Sequence, residues 1–195
     1  NPCGADLSQD QWNVLTNIFK ERGIVPFIDL AYQGLSEGLE EDAYGVRLMA
    51  EKLDEIIVVT SCSKNLGLYR ERVGMTSLVS KDEGQAKAVQ STLGNVARGI
   101  YSMPPDHGAA VAGRVLSDQK LHQLWVKELG EMRTRLNTFR KLFVEKTKER
   151  NAPRDFSFIA REKGMFSFLG LSREQVIQLR EEFHIYMLES SRINI

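Results

Sequence analysis

A lysine set just beyond an apolar run is the first residue of this chain that could do chemistry. Ile56-Ile57-Val58-Val59 reads as a buried strand, and Ser61-Cys62-Ser63-Lys64 follows at its carboxyl end, where open α/β sheets bind ligands. An amine desolvated there can lose its proton near neutral pH and attack a carbonyl. Left in water, it is an ordinary loop lysine. Asp29 lies in an earlier short run, Ile24 to Leu30, so the two groups sit at strand ends and can face one crevice. A buried carboxylate is costly unless it meets a cation; otherwise an aspartate at a strand end is a cap or turn former.

The elements that must position these groups are readable by pattern. Ser8 with Gln11 forms a capping box, Trp12, Leu15 and Phe19 keep helical spacing, and Gly23 can end that helix. A helix is expected from about Glu40 to Lys52, then a strand over 56–60 and another over 74–79. This alternation predicts an α/β fold, a mostly parallel sheet with helices on both faces. Helices are then expected over 81–98 and 106–116, separated by Pro104-Pro105. From Gln119 to Arg150, Leu121, Leu124, Trp125, Leu129, Met132, Leu136, Phe139 and Phe143 recur at three and four, as in a long core-facing helix linking two lobes. The tail reads as a small α+β unit. Strands are expected over 156–160, 165–169, 184–188 and 192–195, with a helix opened by Ser172, Glu174 and Gln175. The expected domains are 1–118 and 119–195, with both ends cut from a longer protein.

Composition limits the function classes. The 195 residues carry 26 Lys plus Arg and 26 Asp plus Glu, so no overall field draws the chain to nucleic acid or an anionic membrane. No apolar run approaches the ~20 residues that span a bilayer. Two cysteines, Cys3 and Cys62, form no CxxC pair, which argues for a reducing compartment and against a structural zinc site. No metal ligand set is evident. Cys62 reads as a packing residue, as does Trp125, and His107, His122 and His184 show no partner in sequence.

Ser61-x-Ser63-Lys64-Asn65-x-Gly67-Leu68-Tyr69-x-Glu71-Arg72-x-Gly74 resembles the cofactor-lysine segment of the aspartate and aromatic amino acid aminotransferases, which use pyridoxal phosphate. Further segments match in family order. They are Asn1-Pro2-Cys3-Gly4, with Cys3 for the usual Thr; Asp29-x-Ala31-Tyr32-Gln33-Gly34; and Arg98-x-x-Tyr101-Ser102-x-Pro104-Pro105. Gly164-Met165-Phe166-Ser167-Phe168, Arg180-x-Glu182-Phe183 and Ser191-Arg192-Ile193-Asn194 complete the series. Each match is modest; the ordered set is very specific. It implies the carboxyl half of a large pyridoxal-phosphate domain, then a linking helix and most of a small domain.

The resemblance implies a role for each residue. Lys64 would hold pyridoxal 5'-phosphate as a Schiff base and then move a proton at substrate Cα. Asp29 would keep the pyridine nitrogen protonated and the ring electron-accepting. Tyr32 and Asn1 would hydrogen-bond the ring's phenolic oxygen, and Ser61 and Arg72 would bind the phosphate. Arg192 would clamp the substrate α-carboxylate. Arg98 would reach the neighbouring subunit of a homodimer and take the side-chain carboxylate of a dicarboxylic substrate. The implied activity is amino transfer between an acidic or aromatic L-amino acid and a 2-oxo acid, in the cytoplasm, with this piece inactive alone.

Other readings stand beside these. Arg72 could pair with Glu71, Arg98 could be a solvated helix residue, Tyr32 could cover a loop and Arg192 could be a terminus. The same Lys and Asp serve a lyase or decarboxylase, and the piece could be a non-catalytic folding or dimerisation fragment. A nucleotide-binding domain is disfavoured by the lack of G-x-G-x-x-G or G-x-x-x-x-G-K-[ST]. Two departures from the family pattern also bear on the site. Met103 stands between Ser102 and Pro104, and Ser191 replaces a Gly, which limits positive φ before Arg192.

Overall fold

The computed structural model describes residues 3–195. The chain divides into two compact units. One is Leu7–Gly34 with Gly38–Leu129, and the other comprises the segment ending at Asp6, Leu35–Glu37 and Gly130–Ile195.

In the first unit α1 (Gln9–Arg22) begins where a capping box closes. Ser8 Oγ accepts from the Gln11 amide at 3.2 Å, and Gln11 Oε1 accepts from the Ser8 amide at 2.9 Å. The helix ends on Gly23 at φ 61°, a left-handed position that glycine takes without strain. Next come β1 (Phe27–Leu30), α2 (Tyr44–Lys52), β2 (Ile56–Ser61) and β3 (Gly74–Val79), with sheet order β1-β2-β3. Buried Met49, Ile56 and Val58 form the core, against which Trp12, Leu15, Phe19, Ile28 and Val46 pack. The two helices therefore cover one face of the sheet. They approach closely at Gly45, where a β-carbon would overlap the Trp12 ring.

The sheet is mixed rather than mostly parallel. β1 and β2 run parallel, with Ile28 opposite Val58 and Asp29 opposite Val59, but β3 runs antiparallel to β2, with Ser61 opposite Gly74. Residues 62–73 hold no helix to carry the chain back across the sheet, and a parallel return needs such a crossover. The chain simply turns and pairs beside itself.

Three helices follow. α3 (Glu83–Tyr101) is capped by Asp82, whose Oδ1 accepts from the Gln85 amide at 2.8 Å. α4 (His107–Ser117) begins after the Pro104-Pro105 break. α5 (Gln119–Glu149) contains the division between the two units, which falls at Leu129–Gly130. Its apolar stripe is only partly buried: Leu129 is fully buried, while Leu124, Met132 and Phe139 are exposed.

The second unit is organised by a polar residue. Arg140 of α5 is 1% exposed. Its guanidinium donates to the carbonyls of Phe166 at 2.7 Å, Gly164 at 2.8 Å, Lys163 at 3.1 Å and Ile159 at 3.3 Å. It also donates to Ser167 Oγ at 2.6 Å and faces Glu162 at 3.5 Å. One side chain thus supplies donors to four carbonyls of a returning segment. Burial pulls the guanidinium's pKa down and Glu162 pulls it back up.

The unit's strands are fewer than the pattern suggests. Ser157–Ala160 is a 3-10 turn, not a strand; Asp155 binds the Ser157 amide and hydroxyl, both at 2.8 Å, and curls the segment. β4 (Phe166–Phe168) pairs antiparallel with β5 (Arg192–Asn194), and α6 (Arg173–Phe183) begins at a second capping box, Ser172 with Gln175. Residues 184–188 form no strand. His184 takes a left-handed cap conformation at φ 56°, and Tyr186 and Leu188 are exposed.

Candidate active site

Parallel pairing places the carboxyl ends of β1 and β2 at the same edge of the sheet. Ile28, Ile56 and Val58 enter the core. By strand alternation Asp29, Val59 and Ser61 share the opposite face. Asp29 is exposed there, not buried as its proposed role requires in a complete site. Among the described residues, β1 pairs with a strand on one side only.

Beyond these strand ends the structure brings Lys64 and Tyr32 together. Lys64 Nζ lies over the Tyr32 ring, 4.6 Å from its centroid, and both residues are partly buried. A cation on an aromatic face gains about 0.5–1 kcal/mol at accessible sites. The contact also holds the amine against the turn that follows β1. Ser61 Oγ accepts from the Ser63 amide at 3.1 Å, which fixes the turn into Lys64.

Arg72 lies at the far end of the same loop. The Cys62 amide donates to the Val73 carbonyl at 3.1 Å, which keeps residue 72 beside the start of the loop. Arg72 has φ 52°, uncommon for a residue with a β-carbon. Its Nη1 donates to the Tyr69 carbonyl at 3.0 Å. Glu71 meets His107, not Arg72. Cys62 is partly buried, and that burial pushes its thiol pKa up, which disfavours the thiolate.

Two of the remaining expected residues lie on other elements. Arg98 lies on the exposed surface of α3. Arg192 belongs to the second unit, where its guanidinium stacks on Phe166 at 4.8 Å from the ring centroid. Asn1 falls outside the described residues. Among the described residues, no group of three or more His, Cys, Asp or Glu could hold a metal ion, and no helix is long and apolar enough to cross a membrane.

Three residues of the cluster escaped sequence reasoning. Asn65 and Gln33 lie inside quoted motifs but had no role, and Trp125 read as packing. Asn65 Nδ2 donates to the Gln33 carbonyl at 3.3 Å, and Trp125 Nε1 donates to the Asn65 carbonyl at 2.7 Å. Contacts to main-chain carbonyls leave no trace in residue spacing.

The structure thus brings an amine and a phenol ring together beyond the carboxyl ends of β1 and β2, the strands that carry Asp29 and Ser61, with Arg72 at the end of the following loop. The family model for aminotransferase class I and II matches residues 1–195, and the chain belongs to that family. It is 47% identical over all 195 residues to the aspartate aminotransferase of Escherichia coli strain K12, covering 49% of that protein. It is 42% identical over 195 residues to the aromatic-amino-acid aminotransferase of Pseudomonas aeruginosa, again covering 49%. Among solved structures, the aromatic-amino-acid aminotransferase of Burkholderia pseudomallei covalently bound to pyridoxal phosphate superposes with a TM-score of 0.97 at 45% identity. That match covers all of this chain and 49% of the other. The chain therefore spans about half the length of the relatives it matches.

Proposed function

We propose that this chain is part of a pyridoxal-phosphate-dependent aminotransferase that passes an amino group between an acidic or aromatic L-amino acid and a 2-oxo acid. One observation carries the proposal: Lys64 Nζ rests on the Tyr32 ring, at the sheet edge that also bears Asp29 and Ser61. The donor set fits the cofactor. An amine suits an aldehyde, a carboxylate a pyridine nitrogen, a phenol a phenolic oxygen, and a hydroxyl with a guanidinium a phosphate.

When bound, pyridoxal phosphate supplies an electron-accepting ring that stabilises a carbanion at substrate Cα. Lys64 would be the residue that holds the cofactor and would serve as the base that takes and returns the proton at substrate Cα. Asp29 would pair with the ring nitrogen and keep it protonated. Tyr32 and Asn1 would hydrogen-bond the phenolic oxygen, and Ser61 and Arg72 would bind the phosphate. Arg192 binds the substrate α-carboxylate. Arg98 takes the side-chain carboxylate at the site of a second subunit, so the whole protein is a homodimer. Two free thiols, Cys3 and Cys62, are in keeping with a cytoplasmic location. The 195-residue piece alone has little or no turnover, because Asp29 is exposed to water in it.

The test is spectroscopic. The full polypeptide carrying these residues, loaded with pyridoxal phosphate, should show a pH-dependent near-visible band from the lysine-bound cofactor, and Lys64→Ala should abolish it. Survival of the band in that variant would remove Lys64 from the chemistry. Measurable transamination by the 195-residue piece would refute its inactivity.

A further inference from the structure

Lys64 and Tyr32 are each followed by a residue that joins the same pairing. Behind the contact of the amine with the ring, Asn65 Nδ2 donates to the Gln33 carbonyl at 3.3 Å. The two successive links bridge the loop after β2 and the turn after β1. A third element closes the arrangement from outside, since Trp125 Nε1 of α5 donates to the Asn65 carbonyl at 2.7 Å.

The amide orientation of Asn65 follows from this geometry. Turned over, Oδ1 would face the Gln33 carbonyl, acceptor against acceptor. In the orientation adopted, Oδ1 is buried with no hydrogen-bond partner. Leaving an acceptor so buried costs about 1–3 kcal/mol. An apolar residue would avoid that cost, but only a side chain with a donor can reach the Gln33 carbonyl. What the carboxamide secures is the register of Lys64 against Tyr32.

We infer that Asn65, clamped by Trp125, is a positioning residue that holds the Lys64 amine on the face of Tyr32. It touches neither substrate nor cofactor in this role and acts only through its neighbour. The inference rests on Lys64 being the cofactor lysine.

The test uses the full polypeptide carrying these residues, with Asn65→Ala and Trp125→Phe compared against the unaltered protein. Trp125→Phe removes one N–H and keeps a ring in place. Three quantities are read: the pH midpoint of the lysine-bound cofactor band, the split between kcat and KM, and the rate at which apoprotein Lys64 is trapped by pyridoxal and borohydride, followed by mass. In both variants the midpoint should move by at least about half a pH unit, and kcat should fall roughly tenfold with KM held within about twofold, as for a misplaced reacting group. Trapping should change in the same variants.

Variants that fold and match the unaltered protein in all three overturn the inference. So does loss of cooperative unfolding in both, which would make these bonds general supports. Should Asn65→Ala alone fail to fold, Trp125→Phe decides. Failure of the cofactor-lysine proposal would show separately, as a band retained by Lys64→Ala.

Discussion

The Glu71 carboxylate meets His107 Nδ1 at 2.9 Å, joining the loop that carries Arg72 to the first residue of α4. The next residue, Gly108, packs so closely that a β-carbon there would come within 2.7 Å of the Glu71 β-carbon. Helix start and loop end are thus fastened by one ion pair and one close approach. The Glu71 hydrogen bond and then its charge raise the pKa of His107 above its ordinary value of 6.5.

A pH dependence follows from that direction. A histidine whose folded pKa is raised contributes stability that is fully present below its unfolded pKa and is lost as pH rises through the folded pKa. The melting temperature should therefore fall as pH rises above about 6.5, and His107→Gln should flatten that part of the profile. Thermal melts across this range in both proteins check it. Equal slopes would show that the pair does not hold the loop.

Arg140 offers the largest single effect on stability. Arg140→Leu would strand the carbonyls of Phe166 and Gly164 and leave Glu162, only 16% exposed, without its cation. Breaking a buried pair from one side typically costs about 3–5 kcal/mol. Arg140→Lys should recover little, because one ammonium cannot replace a planar fork that reaches several carbonyls. Urea unfolding should show a loss of at least ~3 kcal/mol for Leu and a similar loss for Lys.

The parts legible in the sequence are those fixed locally. Both capping boxes, Ser8 with Gln11 and Ser172 with Gln175, depend on residues three apart and stand where the pattern sets them. The Gly23 stop and the Pro104-Pro105 break are local in the same way. Features decided by partners were not legible. The direction of β3 depends on a crossover that residues 62–73 lack. Residues 184–188 alternate like a strand, yet a strand needs a neighbour to pair with. Arg140 holds the second unit together and was invisible, because apolar periodicity counts only apolar residues. Among the residues at the site, Lys64 and Tyr32 could be read from their motifs. The Asn65 and Trp125 bonds could not, since both end on a backbone carbonyl.

Ser191 shows a residue adapting to a conformation that glycine takes more easily. It adopts φ 63° despite its β-carbon. Its Oγ accepts from the amides of Gly170 at 3.0 Å and Leu171 at 3.2 Å, which offsets the backbone strain. Ser191→Ala keeps the strain and loses the acceptor, so a loss of about 1–3 kcal/mol is expected. Ser191→Gly also loses the acceptor but relieves the backbone, and its loss should be smaller by about 1 kcal/mol. An order in urea unfolding of Ser above Gly above Ala supports this account, and Ala equal to Ser would end it.

Arg98 is the residue on which substrate preference should turn. It lies exposed on α3, and under the proposed function it takes the side-chain carboxylate of an acidic substrate. A charge-assisted hydrogen bond to a carboxylate is worth about 1.5–3 kcal/mol. Arg98→Ala in the full polypeptide should therefore lower kcat/KM for aspartate roughly 10- to 150-fold. Phenylalanine carries no side-chain carboxylate and should lose less than about threefold, since only the cost of removing an exposed side chain remains. Steady-state kinetics with both substrates separate the cases. Equal losses for the two would mean that Arg98 supports the fold or the dimer and does not read the acidic side chain.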